Sequence, residues 1–185
     1  DSAYDPKRAV LSAQKLVNQD KIFMMVGHIG TAQNNAAMPV QFDKNIVNFL
    51  PLTAAREMYE PVHRLKYALL ATYYDQMRTA VPRMMKEKKA EKTSFKRGAT
   101  DFSSQVARMK SSGCDLVVLG TIIRETIGTI GEARKTGFSP VFLGTTAAYT
   151  DLIHKLGGKA MDGMYAVCTI AFPYLDEASQ PIRFW

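Results

Sequence analysis

The stretch that decides the fold opens at Cys114-Asp115 with the apolar run Leu116-Val117-Val118-Leu119 and its ending Gly120-Thr121. A segment from Arg124 to Thr136 follows, then Gly137-Phe138-Ser139-Pro140, then a second run, Val141-Phe142-Leu143, ending in Gly144-Thr145. Both runs are continuous rather than alternating, which predicts short parallel strands buried on both faces of a sheet. Between them Ile127, Ile130 and Ala133-Arg134 recur at helical spacing, and Gly137 stands where a C-terminal cap belongs. The three pieces make a βαβ unit with a right-handed crossover. Ligands of open α/β sheets bind beyond the carboxyl ends of the strands, so the loops Thr121–Arg124 and Thr145–Tyr149 are the place to look. The repeated Gly-Thr either frames a ligand or only turns the backbone, and the residues leave both readings open.

The same rhythm runs through the first part of the chain. Asp5-Pro6 opens a helix, Asp as N-cap and Pro at the first helical position, with Ala9, Val10, Ala13, Leu16 and Val17 as its apolar stripe. Ile22 to Gly27 reads as a buried strand, His28 to Thr31 as a loop, Gln33 to Phe42 as a helix, Ile46 to Leu50 as a strand, and Pro51 to Ala55 as its terminal loop. Leu65 to Thr72 is a strand or a connector. Tyr74 to Lys88 is a helix with Met77, Val81, Met84 and Met85 inward and Pro82 inside it. Thr100-Asp101 caps a further helix through Phe102, Val106 and Met109, stopped at Ser111-Ser112-Gly113. A short helix follows from Asp151 to Leu156, then a last strand from Met164 to Phe172 and a final helix begun at Asp176. Lys92 to Thr100 is anomalous, because one helix ends and another begins with no apolar strand between them.

Composition narrows the function. The 185 residues are 46% hydrophobic and carry a net charge of +7. The densest basic run, Lys86-Glu87-Lys88-Lys89-Ala90-Glu91-Lys92, is interleaved with acids at a helix end, which makes it a solvated face rather than a nucleic-acid surface. No zinc, helix-turn-helix or RNA-binding signature appears, and no apolar run approaches the ~18 residues of a membrane span. Cys114 and Cys168 lack metal spacing, border apolar strands, and read as buried free thiols. The ten methionines sit mostly at helical core spacing and read as packing.

No catalytic constellation forms. His28, His63 and His154 lie far apart. There is no nucleophile elbow and no phosphate loop with Lys-Ser/Thr. Gly27-His28-Ile29-Gly30 is only half of a dinucleotide fingerprint. Glu57, Glu125 and Asp151 make no acid pair. Strand-end loops rich in Thr and Gly suit binding, since hydroxyls and N–H groups orient a small polar ligand without reacting with it. No cofactor and no metal are expected. His28 lies in such a loop, where it either contacts a ligand or caps the surface. Arg124 offers a fork of donors to a carboxylate, or pairs with Glu125.

Asp5-Pro6-Lys7-Arg8-Ala9-Val10 with Val26-Gly27-His28-Ile29-Gly30-Thr31-Ala32 resembles the leucine/isoleucine/valine-binding type of ABC-transporter solute-binding protein. So do Lys96 to Phe102 with Gln105 to Lys110, Glu132 to Gly137, and Asp162-Gly163-Met164-Tyr165, in order along nearly the whole chain. The resemblance implies a type I periplasmic-binding fold, α/β, with two Rossmann-like lobes of mostly parallel sheet and a ligand cleft between them. Residues 1–71 would be a partial first lobe, 72–170 a partial second lobe, and 171–185 the return crossing and the start of a first-lobe helix. It also implies a periplasmic, non-enzymatic component of an importer that binds a small carboxylate or amino acid by hinge closure and docks on a permease, with no nucleic-acid partner. A sensor domain of a regulator or receptor with the same fold is the alternative. The resemblance implies ligand contacts at Gly30, Thr31, Thr53 and Ala54 in the first lobe and at Ile122, Ile123, Arg124, Thr145, Thr146 and Tyr149 in the second, and the strand-end loop adds His28 and Ile29 as candidates.

Three departures from the family pattern stand out. The family's amino-acid binders place an acid after the Val141–Gly144 strand to hold the ammonium, whereas Thr145-Thr146-Ala147-Ala148-Tyr149 carries none. An unpaired ammonium in a closed cleft is costly, and Ile122-Ile123 adds apolar surface, so an aromatic or aliphatic acid is expected over an amino acid. The family also has a strand, a loop and a helix where Lys92 meets Thr93, and a strand before the position of Asp1. The fold is therefore expected to be truncated, with an internal segment missing.

Overall fold

The computed structural model of the chain describes residues 1–84, 92–96 and 98–169. They fall into two compact units that divide between Asp75 and Gln76.

The first unit is built on helix α1 (Pro6–Asn18), strand β1 (Met24–Val26), helix α2 (Thr31–Asp43), strand β2 (Val47–Phe49) and strand β3 (Lys66–Tyr67). Asp5 caps α1 by accepting from Arg8 N at 2.9 Å, and Pro6 takes the first helical position, where no intrahelical donor is needed. The three strands are parallel in the order β1-β2-β3, with Met25 beside Asn48 and Asn48 beside Lys66. Helix α1 packs along α2. Their buried positions include Ala9, Ala13 and Ala37, small enough for close approach. Helix α2 begins at Thr31, two residues before its expected start, so Thr31 is helical rather than part of the loop.

The second unit carries helix α3 (Tyr73–Met84, entering from the first unit), helix α4 (Ser103–Ser111), strand β4 (Leu116–Leu119), helix α5 (Ile123–Lys135), strand β5 (Val141–Gly144), helix α6 (Leu152–Gly157) and strand β6 (Tyr165–Ala166). The β4-α5-β5 unit stands where the sequence put it, with Leu116 beside Val141 and Leu119 beside Gly144. Strand β6 adds in parallel beside β5. One apolar cluster joins Val106 and Met109 of α4, Val117 and Leu119 of β4, Ile130 and Ala133 of α5, Phe142 of β5 and Ile153 of α6. Burying side chains of this size contributes about 2 kcal/mol each, and this is what fixes the sheet against its helices.

Burial on both faces holds only for part of the sheets: in β5 the successive residues Phe142 and Leu143 are both buried, but elsewhere one face is open. Successive residues of a strand point to opposite faces, and in β4 Val117 and Leu119 are buried while Val118 between them is exposed, as is Val141 of β5. In the first sheet Val26, Phe49 and Tyr67 stand in one register row and are 59%, 37% and 52% exposed. Among the described residues the apolar cluster of the second unit lies on the Val117–Phe142 face, so the continuous runs overstate how much of each strand is covered. The strands of the first unit are also shorter than expected, and Leu65–Thr72 contributes only the two residues of β3. In α3 the buried side chain is Gln76, whereas Met77, Val81 and Met84 are only half-buried. Neither cysteine is buried: Cys114 is half-buried and Cys168 exposed, and neither forms a disulfide. Met85, most of the Lys86–Lys92 run, the strand beyond Thr169 and the helix from Asp176 lie outside the described residues.

Candidate functional site

In the first unit the loops after β1 and β2 run side by side. Leu52 N donates to His28 O at 3.0 Å, and Gly30 N donates to Leu52 O at 3.4 Å. Gly30 has φ 95°, and a Cβ there would collide with the Gln33 carboxamide and with the Tyr4 ring at 2.8 Å, so only glycine fits. At the end of β2, Leu50 holds φ 49°, a conformation disfavoured for a residue with a side chain. These two turns aim the loops at each other.

Helix α2 starts at Thr31, and no side chain caps it. The first N–H groups of a helix have no intrahelical acceptor and carry the positive end of the dipole. Beside them, Thr31 Oγ1 and Thr53 Oγ1 are 2.7 Å apart. Thr53 Oγ1 also accepts from Ala55 N at 3.2 Å. Ala54 is fully buried, and its carbonyl accepts from Tyr73 N at 2.9 Å. Ile29 is exposed at the loop surface. The His28 ring is half-buried with Nδ1 unpartnered among the described residues, and burial pushes its pKa below the usual 6.5. An amide relay braces this corner: Asn34 Nδ2 donates to His28 O at 2.6 Å and to Gly30 O at 2.8 Å, and Asn48 Nδ2 donates to Asn34 Oδ1 at 3.0 Å. Sequence reasoning missed Asn34 and Asn48. The available signal was Asn48 in the middle of the apolar run Ile46-Val47-Asn48-Phe49-Leu50, since a polar residue buried in a strand needs a partner.

In the second unit the loop after β4 is tied to α5 by a buried pair, Thr121 Oγ1 to Thr126 Oγ1 at 2.7 Å. Ile122 is exposed and Ile123 half-buried at the start of α5. Arg124 Nη2 reaches Glu125 Oε1 at 3.4 Å. Of the two readings of Arg124, the structure therefore displays the pairing with Glu125. After β5, Thr145 Oγ1 caps a 3-10 turn by accepting from Ala147 N at 3.3 Å, and Thr146 N donates to Gln76 Oε1 at 3.1 Å. Tyr149 closes that turn on the edge of a cleft of about 170 Å³.

The structure thus brings Thr31 and Thr53 into contact in one unit and places Ile122, Ile123 and Arg124 at the start of α5 after β4, and Thr145, Thr146 and Tyr149 in the turn after β5, in the other. These groups are hydroxyls, backbone N–H groups, one imidazole and apolar surface, an inventory for orienting a ligand. Among the described residues no three His, Cys, Asp or Glu side chains stand together as metal ligands.

Comparison with known proteins follows the same geometry. The family described as periplasmic binding protein matches residues 1–95 and 91–182, two segments that meet at the Lys92–Thr93 join. The leucine-, isoleucine-, valine-, threonine-, and alanine-binding protein of Pseudomonas aeruginosa is 25% identical over 204 residues, which cover 93% of this chain and 54% of that protein. The chain thus spans about half the length of such curated relatives. A branched chain amino acid ABC transporter structure from Thermus thermophilus with bound valine superimposes with a TM-score of 0.78 at 18% identity, covering 100% of this chain and 56% of that one. An R. palustris solute binding protein in complex with 4-hydroxybenzoate gives 0.76 at 14% identity, over 98% and 58%. These likenesses establish the type I periplasmic-binding fold for the part that this chain spans.

Proposed function

The chain belongs to the periplasmic binding protein family, and from that premise we propose that it is the solute-binding component of a periplasmic ABC importer that takes a small carboxylate. The observation that carries this reading is the hydroxyl pair of Thr31 and Thr53 beside the uncapped start of α2. A carboxylate there accepts from the hydroxyl of the pair whose hydrogen is not spent on the other and from helical N–H groups, and the helix dipole favours its charge. Thr31, Thr53 and the backbone at Gly30 and Ala54 form the carboxylate end. Ile122, Ile123, Arg124, Thr145, Thr146 and Tyr149 supply the second unit's contacts, with hinge closure and docking on a permease as the mechanism.

The ligand is an aromatic or aliphatic acid in preference to an amino acid. The Thr145–Tyr149 loop offers hydroxyls and methyl groups but no carboxylate, and Ile122 presents apolar surface. The test is a thermal-melt screen of the chain against benzoate, isocaproate and L-leucine. A ligand that binds only the native state raises the midpoint by mass action, by about 2.7 kcal/mol of stability at a hundredfold excess over Kd. Shifts with the two acids are expected. A cooperative melt unmoved by all three ligands, or moved by leucine alone, would overturn the reading.

A further inference from the structure

Strand β2 is the middle strand of the first sheet, and its two faces meet different surroundings. On one face Asn48 is buried and donates to Asn34 Oδ1 of α2 at 3.0 Å, so α2 covers that side. The next residue along each strand points the other way. There Val26, Phe49 and Tyr67 form one row across β1, β2 and β3, with the Phe49 and Tyr67 ring centroids 6.4 Å apart. All three are exposed. Met24 and Val47, a register pair one step back on the same face, are half-buried. None of these five side chains carries a charge. Parallel sheets occur almost only with both faces covered, so an aliphatic and aromatic row left in water calls for a cover.

The size of the face suits a protein partner. At their exposures the five side chains leave roughly 350 Å² of apolar surface in water. Each partner in a standard interface buries about 800 Å², little more than half of it non-polar. The row therefore supplies most of the apolar centre of one such patch.

Charge selects the partner. Residues 1–75, the first unit, hold eight Lys and Arg against seven Asp and Glu, although the whole chain is +7. A strongly acidic or strongly basic partner finds no opposite excess on this unit, whereas a near-neutral body associates readily with its own kind. A two-fold contact sets the same patch against itself. An uncharged row meets its copy with no like-charge contact, and apolar against apolar is the only complementarity required. Two twisted sheets stack about 10 Å apart with strands crossing at roughly 30°, a gap that two layers of side chains fill.

We propose that the Val26–Phe49–Tyr67 face of the first sheet is a self-association surface, on which a second copy of this chain packs sheet to sheet about a two-fold axis. The inference goes beyond the carboxylate reading and does not depend on it, since the Thr31–Thr53 pair joins α2 to the loop after β2 rather than lying in the row.

Sedimentation velocity on the full chain, over about a hundredfold range of concentration, tests the surface. A reversible monomer–dimer equilibrium is expected. Phe49→Lys brings two ammonium groups together across the axis and raises the dimer dissociation constant at least about tenfold. Val26→Lys, at the most exposed position of the row, does the same and decides the matter if Phe49→Lys fails to melt cooperatively. Val118→Lys, at an exposed position of the second sheet, leaves the equilibrium unchanged. A cooperatively melting chain that stays monomeric throughout the range overturns the inference, as does assembly into open-ended aggregates without a discrete dimer. A dimer that Phe49→Lys and Val26→Lys leave intact also overturns it and assigns the contact to the β1 or β3 edge or to another face. A dimer lost in Val118→Lys alone places the contact on the second sheet and likewise overturns it. Benzoate affinity of the same samples tests the carboxylate reading separately.

Discussion

Thr31 Oγ1 and Thr53 Oγ1 lie 2.7 Å apart, joining the first turn of α2 to the loop after β2 across 22 residues of sequence. Thr53 Oγ1 also accepts from Ala55 N, so one of its lone pairs is used, and either hydroxyl of the pair can donate to the other. Replacing either hydroxyl by a methyl group keeps the volume and removes a donor or acceptor. Thr53→Val is expected to lower acid affinity roughly 10- to 100-fold, the effect of one unmade hydrogen bond to a charged partner. Thr31→Ser should bind like the parent. Calorimetry with benzoate checks both, and equal affinity for Thr53→Val and the parent would remove Thr53 from the site.

His28 gives a pH dependence whose sign follows from its burial. Desolvation lowers its pKa in the folded chain below the unfolded value near 6.5. The unfolded chain therefore takes up the proton first as pH falls. Stability from this residue is fully present above pH ~6.5 and is lost as pH drops from there through the lower folded value. Urea melts between pH 7.5 and 5 should show stability declining on the acid side, and His28→Asn should flatten that part of the profile. A His28→Asn profile parallel to the parent's would show that the decline belongs to other groups.

What could be read in the sequence was local. The β4-α5-β5 unit, the Asp5-Pro6 start of α1 and the Gly-Thr strand ends are short-range patterns, and each stands within a residue or two of its expected place. The Thr31–Thr53 contact came only through family resemblance, because nothing local says that two loops 22 residues apart are neighbours. The Asn34–Asn48 relay was hidden for the same reason, since a buried amide announces a partner without naming it. Exposure of Val26, Phe49 and Val118 was not legible at all. A run of apolar residues records what a strand tolerates, whereas the number of covered faces depends on which helices pack against it.

Glu125 is 2% exposed, and its Oε2 has no hydrogen-bond partner among the described residues. The other oxygen meets Arg124 at 3.4 Å, through a guanidinium whose side chain is 61% exposed. A bond so long and so wet contributes little, under about 1 kcal/mol. A buried carboxylate held this weakly is replaceable by a neutral isostere. Glu125→Gln should therefore melt at the same temperature as the parent or higher, and Arg124→Ala should cost less than about 1 kcal/mol. A loss above ~2 kcal/mol in Glu125→Gln would show that the ionised carboxylate has a partner that stabilises the fold.

Two glycines of α5 should respond with opposite sign to the same substitution. Alanine in place of glycine inside a helix gains about 1 kcal/mol of propensity. At Gly131 a Cβ would meet nothing within 4 Å, so Gly131→Ala should collect that gain. At Gly128 the Cβ would stand 2.6 and 2.8 Å from Cε2 and Cδ2 of Phe102. Phe102 is itself buried and holds an edge-to-face contact with Phe95, with ring centroids 5.5 Å apart. The ring cannot swing into solvent without exposing apolar area, and overpacking of this kind costs typically 1–3 kcal/mol. The clash outweighs the propensity, so Gly128→Ala should destabilise by up to about 2 kcal/mol net, while Gly128→Ala combined with Phe102→Leu should recover part of that loss. Chemical melts of the three variants decide the matter: stabilisation by Gly128→Ala on its own would mean that Phe102 is not the side chain against which α5 is fitted.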